Sequence, residues 1–267
     1  MTGETIPAKP ARQGRGWPPW PFRRTPREPP PSLPKGRRLY AIGDIHGRLD
    51  LLAELLGLIE RDLAARPNAD NGLVYLGDYV DRGPDSRAVL DRLCGPPPAG
   101  LEPVFLKGNH EAMLLRFVEC GQGGFNWLYN GGAATLLSYG LELPATAHGD
   151  AALASLQAPF AASLPAAHRA FLAGLRLWHR EGDYLFVHAG IRPNVTLAEQ
   201  SVEDLLWIRE EFLEHDGPLE QVVVHGHTVA RKAEIRRHRI GIDTGAYHTG
   251  RLTCLVLEGV ERRFLAT

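Results

Sequence analysis

The sequence predicts an α/β fold, and three observations predict it. Short apolar runs recur along the chain: Leu39-Tyr40-Ala41-Ile42, Leu73-Val74-Tyr75-Leu76, Val104-Phe105-Leu106-Lys107, Tyr184-Leu185-Phe186-Val187 and Val222-Val223-Val224. Their length and their branched or aromatic content are those of buried strands. Between the first three lie stretches with apolar residues at helical spacing, so strand and helix alternate as they do in sheets with parallel strands. Each run also ends at a glycine-containing turn carrying Asp, Asn or His, which is where open α/β sheets place their chemistry.

The elements follow in order. Leu51, Leu52, Leu55, Leu56, Ile59 and Leu63 give Leu49–Ala65 one apolar face. Ser86–Leu93 predicts a second helix, and Pro96-Pro97-Pro98 stops it. A third is expected over Ala112–Glu119. Phe125–Tyr139 and Ala151–Leu175 read as further helices. Ser201 followed three residues later by Asp204 resembles a capping box opening a helix through Leu205, Leu206, Ile208 and Phe212. Short strands around Ile235–Ile242, Leu252–Leu257 and Arg262–Leu265 close the fold. No apolar run reaches the ~20 residues that a membrane helix needs.

Charge is unevenly spread. Residues 1–37 hold eight Lys or Arg against two Glu, so with a chain total of −1 the remainder carries −7. Residues 1–37 are also rich in proline, and such a composition buries too little apolar surface to offset the entropy of ordering. They are expected to form a disordered Pro/Arg-rich extension, with 38–267 as the folded domain. A docking tail for a proline-binding partner or an anionic surface is the functional reading of that extension. No apolar stretch follows its basic residues, so it does not read as a secretory signal. The negative domain argues against nucleic acid as a partner. Cys94, Cys120 and Cys254 are odd in number and lack a C-x-x-C pair. They point to reduced thiols in the cytoplasm and away from structural zinc.

The strand-end motifs are Gly43-Asp44-Ile45-His46-Gly47, Gly77-Asp78-Tyr79-Val80-Asp81-Arg82-Gly83, Gly108-Asn109-His110-Glu111, His188-Ala189-Gly190 and Gly226-His227-Thr228. A lone Asp at a strand end is usually a turn former or a helix cap, and a lone His is usually solvated or satisfied in the core. Five such turns in one chain, with carboxylate, imidazole and amide donors together, describe a site for two cations and a phosphate. Two divalent ions roughly 3.5–4 Å apart clamp a phosphoryl group between them.

These motifs, with Trp127-Leu128-Tyr129-Asn130-Gly131-Gly132, Trp207-Ile208-Arg209-Glu210 and Ile242-Asp243-Thr244-Gly245-Ala246, resemble the metal-dependent phosphoprotein phosphatases of the calcineurin-like metallophosphoesterase superfamily, in their small bacterial and phage form. The resemblance runs from Arg38 to the C-terminus. It implies a four-layer α/β/β/α sandwich of two mixed sheets flanked by helices. It implies Asp44, His46 and Asp78 as ligands of one metal, and Asp78, Asn109, His188 and His227 as ligands of the other. Manganese is the expected ion, with iron, zinc and cobalt also suited to mixed donors. A hydroxide bridging the ions would attack phosphorus in line. His110 would protonate the leaving group as general acid, with Asp81 holding its ring, while Arg82, Arg209 and Asn109 bind the phosphate.

An exposed arginine of an amphipathic helix is the plain reading of Arg209. Arg231, Lys232, Arg236, Arg237 and Arg239 read as a solvated strand edge, and His168 as a solvated histidine. In other branches of the superfamily Gly-His-x-His supplies two ligands. Here Val229 stands at the second place, so His225 is left out, and His248 stays open. The expected activity is a serine/threonine protein phosphatase. The rival is symmetrical hydrolysis of dinucleoside tetraphosphates, performed by a sister family that resembles this chain in Gly-Asp-x-His-Gly and His-Ala-Gly-Ile. That family usually carries Asp where Glu111 stands and departs from Val80-Asp81-Arg82-Gly83. A non-catalytic interaction module on the same fold is a remote third reading.

Overall fold

Two five-stranded mixed sheets form the framework of this computed structural model, which describes residues 29–143 and 150–267. The expected extension through residue 28, and His148, lie outside the described residues. In the first sheet β1 (Arg37–Ile42), β2 (Asp70–Tyr75) and β3 (Glu102–Phe105) run parallel. The second starts with the hairpin of β4 (Trp178–Glu181) and β5 (Tyr184–Val187), then β6 (Val222–His225) parallel to β5. Its far edge is β7 (Glu234–Ile235) antiparallel to β8 (Arg239–Gly241), in the order β4-β5-β6-β8-β7. The last strands, β9 (Thr253–Glu258) and β10 (Glu261–Ala266), return to the first sheet, in the order β10-β9-β1-β2-β3.

The period of two along each strand explains the layering. Leu39 and Ala41 of β1 face the second sheet and share a cluster with Val74, Phe186, Val224, Ile240 and Leu255. Tyr40 and Ile42 point the other way and pack beneath α1 (Leu49–Ala65). On the outer face of the second sheet, Leu185, Val187 and Val223 pack with Leu205, Ile208 and Phe212. The central strands β1, β2, β5 and β6 are covered on both faces, which is why they read as continuous apolar runs rather than alternating ones. The expected sandwich of two mixed sheets flanked by helices is the observed one.

Helices connect the strands and carry the site. After β2 comes α2 (Ser86–Cys94), and β3 leads directly into α3 (Asn109–Cys120). The third helix therefore starts three residues before the expected Ala112, and Asn109, His110 and Glu111 form its first turn. The helix expected over 125–139 is interrupted: α4 (Gly124–Trp127) and α5 (Ala133–Ser138) flank a wide turn, Leu128–Gly132, in which Gly131 has φ 107°. The interruption has a cause, because the Gly131 carbonyl accepts the Arg82 N–H at 3.1 Å. The segment expected as one helix over 151–175 is α6 (Asp150–Ser163) and α7 (Ala166–Ala173), parted at Pro165. Ser201 caps α8 (Val202–Trp207) as expected, accepting the Asp204 N–H at 3.0 Å. That helix stops at Ile208, and Arg209 precedes α9 (Glu210–Leu213) in a non-helical conformation. A last short helix, α10 (Ala246–Thr249), follows the turn after β8.

The packed unit begins at Pro31. Leu33 is buried and its N–H donates to Gly259 O at 2.9 Å, while the Ser32 N–H donates to Asp183 Oδ2 at 2.9 Å. Burying one leucine is worth roughly 1.5–3 kcal/mol, enough to fasten a short strap across the ends of both sheets.

Candidate active site

The turns after β1, β2, β3, β5 and β6 converge. His46 N–H donates to Asp78 O at 2.8 Å, Gly226 N–H to His188 O at 2.8 Å, and His227 N–H to Asp44 Oδ2 at 3.0 Å. Gly226 is required there, since a Cβ would collide with Asp44 Oδ1. Among the described residues, six non-glycine residues have positive φ, and five of them, His46, Asp78, Asp81, Arg82 and His227, belong to these turns, with φ of 47–73°. Such backbone is strained for L-residues and gathers where function over-determines it.

Asp78 is the centre. Its Oδ2 lies 3.5 Å from His46 Nε2 and its Oδ1 3.5 Å from His188 Nε2, so each oxygen faces a different group. Two clusters with metal-ligating spacing share it: His46, Asp78 and His110, and Asp78, His188 and His227. Burial opposes the charge of Asp78, but His188, His110, His46 and His227 outweigh it and hold the carboxyl below its usual range. Burial holds His46 and His188 below the usual imidazole range, so both favour the neutral, ligating form.

The donor set fits divalent cations. His46 Nδ1 bonds the Val80 carbonyl at 2.9 Å and His188 Nδ1 bonds that of Leu76 at 2.9 Å, which puts the proton on Nδ1 and leaves Nε2 as a lone pair. The His188 Nε2 faces Asn109 Oδ1 at 2.8 Å, and His227 Nδ1 approaches the same oxygen at 3.0 Å. Nε2 of His227 is buried without a hydrogen-bond partner among the described residues. Family and geometry together point to a two-metal centre, with Asp44 on its margin: both Asp44 oxygens accept the His227 N–H, and burial together with the Asp243 and Asp78 charges raises its pKa.

His110 is built differently. Its Nδ1 lies 2.7 Å from Asp81 Oδ2, and its Nε2 is buried without a hydrogen-bond partner among the described residues. Trp127 Nε1 donates to Asp81 Oδ2 at 2.9 Å and Thr135 Oγ1 to Asp81 Oδ1 at 2.6 Å, so donors on both oxygens orient Asp81. Burial pulls the His110 pKa down, but Asp78 and Asp81 outweigh it and raise it. The protonated form of the ring is thus favoured, and its Nε2 lies 3.9 Å from Asp78 Oδ2.

Arg82 Nη1 lies 3.0 Å from His46 Nε2, and its guanidinium stacks on Tyr247 at 4.8 Å. Arg209 is exposed, with Nη1 3.2 Å from Thr228 Oγ1, beside the His227 turn. The break at Ile208 is what turns it there. The two clusters hold His46, Asp78, His110, His188 and His227, with Asn109 between His188 and His227, Asp81 on His110 and Arg82 on His46, whereas Asp44 lies outside both clusters and Arg209 reaches only Thr228. His225 is buried, 3.1 Å from the Gly226 carbonyl, with its ring against Phe212, so it supports the turn from behind. His248 is exposed and packs against Tyr247. Two sequence readings are corrected. Arg239 is buried and paired with Glu234 at 2.7 Å, and His168 is buried between Tyr139 at 2.7 Å and Asp91 at 2.9 Å.

Residues without an expected role also appear. Glu111, in the first turn of α3, is fully buried and accepts the N–H groups of Asp78, Tyr79 and Gly108 at 2.8–2.9 Å. Burial and the Asp78 charge push its pKa up to about 7 against the pull of those donors. Each buried donor left unpaired costs roughly 1–3 kcal/mol. Glu111→Ala is therefore expected to lower the unfolding free energy by at least about 3 kcal/mol, read from urea denaturation of metal-free protein. A loss below about 1 kcal/mol would show that the turn stands without it.

Comparison with known proteins agrees with this geometry. The sequence model of the calcineurin-like phosphoesterases matches residues 37–251. The serine/threonine-protein phosphatase 2 of Escherichia coli K12 is 42% identical over 98 residues, 36% of this chain and 39% of that protein. The symmetrical bis(5'-nucleosyl)-tetraphosphatase of Methylococcus capsulatus is 32% identical over 192 residues, 70% of this chain and 51% of that protein. The chain spans about half or less of the length of these relatives. A crystal structure described provisionally as a diadenosine tetraphosphatase superposes with a TM-score of 0.58 at 24% identity, covering 86% of this chain and 94% of that one, a likeness of fold.

Proposed function

Because the chain belongs to the calcineurin-like phosphoesterase family, we propose that it hydrolyses phosphomonoesters, with phosphoserine and phosphothreonine side chains of proteins as substrates. The observation that carries this reading is the His110–Asp81 pair. A serine or threonine alkoxide is a poor leaving group and needs a proton as the P–O bond breaks, whereas a nucleoside diphosphate leaves as a stabilised anion. A buried imidazole held by an oriented carboxylate is an assembly for delivering that proton.

Asp44, His46 and Asp78 would hold one divalent cation, and Asp78, Asn109, His188 and His227 the other, with manganese the expected ion. Bound there, the cations supply Lewis acidity towards water and the phosphoryl oxygens. The chain's own groups do the rest. Arg82, beside His46, and Arg209, beside Thr228, would offer planar, bidentate donors to the phosphate. Asn109 contributes its amide where the two imidazoles of the second cluster meet. Asp81 fixes the tautomer and orientation of His110, whose Nε2 gives its proton to the leaving oxygen.

The tetraphosphatase relative keeps a second reading open: symmetrical cleavage of dinucleoside tetraphosphates. Steady-state hydrolysis of a phosphoserine peptide and of diadenosine tetraphosphate by manganese-loaded protein separates the two. Preference for the peptide with release of inorganic phosphate is the expected result. Preference for the dinucleotide with release of ADP would overturn it.

A further inference from the structure

The turn after β8 holds a buried aspartate that the mechanism above does not use. Asp243 is 2% exposed. Its Oδ1 accepts the Gly245 N–H at 2.9 Å and so closes the turn that opens α10. Its Oδ2 is buried, and among the described residues no N–H or hydroxyl donor reaches it; the side chain that the carboxyl meets is another acid, Asp44. A turn former needs only the first of these oxygens. A carboxylate oxygen sealed from water without a donor is costly unless a cation meets it.

The surroundings point to a cation. Gly43 lies against this turn so closely that a Cβ there would sit 2.6 Å from Ile242 O. The Asp243 carboxyl meets that of Asp44, with Asp78 and Arg82 as its other charged neighbours. Arg82 does not answer both carboxylates, because its guanidinium is stacked on Tyr247 with Nη1 at His46. Asp44 is taken up by the His227 N–H.

The geometry points to Asp243 as a further cation-holding carboxylate, set to hold a divalent ion on the Asp44 side of the centre by Oδ2, directly or through one water. This rests on the reading of the site as a two-metal centre. Its effect is to add a third buried negative charge to Asp44 and Asp78, which favours a doubly charged ion and disfavours the empty site.

Calorimetric titration of metal-stripped protein with Mn²⁺, together with melting of the metal-free form, tests it. D243N keeps an acceptor for Gly245, removes the charge and puts an NH2 donor in the place of Oδ2. One of the two manganese equivalents should bind at least about tenfold more weakly, since even outer partners of ligands cost that much. The metal-free melting temperature should hold or rise, because a repelled charge is gone. D243S, whose hydroxyl also reaches Gly245, should show the same loss of affinity. Unchanged affinity at both equivalents would overturn the inference, as would equal destabilisation of the metal-free and loaded forms. So would failure of both variants to fold without metal where the wild type folds, which would assign the carboxylate to the turn. Wild-type protein that binds no manganese would remove the two-metal reading itself.

Discussion

Replacing His110 with Asn is expected to lower kcat for a phosphoserine peptide by roughly 10²–10⁴ while two equivalents of manganese still bind. The two readouts matter together, because His110 occupies an ambiguous place. It sits in the cluster with His46 and Asp78, 3.9 Å from Asp78 Oδ2, where a ligand would also sit. Its Nδ1, however, is engaged by Asp81 at 2.7 Å, and its pKa is raised, the reverse of His46, His188 and His227. A ligand must be neutral, and an acid must be charged. Loss of kcat with KM nearly unchanged reports an interaction made in the transition state. Loss of one manganese equivalent instead would make His110 a ligand and leave the acid unassigned. A phosphate monoester with an acidic phenol as leaving group should be hit less hard than the peptide, since it needs the proton less.

The second large effect is expected at Asp78. Asn in its place should weaken both manganese equivalents by at least about 100-fold, because outer partners alone cost ten- to a hundredfold and this carboxylate faces both clusters. Hydrolysis should fall below detection at micromolar metal. Four imidazoles hold the Asp78 pKa down, so the metal-free protein also loses a favourable charge. Near-UV circular dichroism of the metal-free variant separates this local loss from unfolding. One equivalent retained at wild-type affinity would show that the centres do not share Asp78.

The donors of this site were legible because each stands at the end of an apolar run, and a strand fixes where its last residue goes. That rule located the turns, and the family resemblance then implied Asp44, His46, Asp78, Asn109, His188 and His227 as the ligands within them. The supports of the site were not legible, since they depend on which segments meet. Nothing in Trp127 or Thr135 announces a hydrogen bond to Asp81, and Tyr247 meets Arg82 only through tertiary packing. Glu111 has one local partner, the Gly108 N–H, but its bonds to the Asp78 and Tyr79 N–H groups come from the turn after the neighbouring strand and have no local signal. The breaks at Gly131 and Ile208 were hidden for the same reason: local propensity favours a continuous helix, but one break supplies a carbonyl to Arg82 and the other turns Arg209 towards Thr228. β4 was missed because Trp178-His179-Arg180-Glu181 has no apolar run and is held by backbone pairing to β5.

The strap of Ser32 and Leu33 joins the turn between β9 and β10 to the hairpin of β4 and β5, and Arg37 pairs with Glu181 at 2.5 Å beside it. All of these lie at the opposite ends of the sheets from the chemistry. Mechanically the molecule is a pair of plates riveted at the base, with jaws at the top. One jaw carries Asp44, Asp78, Asn109 and His110, and the other His188, His227 and Asp243. The filling between the plates, from Leu39 and Val74 to Phe186 and Ile240, acts as a shim. The gauge of the jaws is therefore set by side-chain volume far from any ligand.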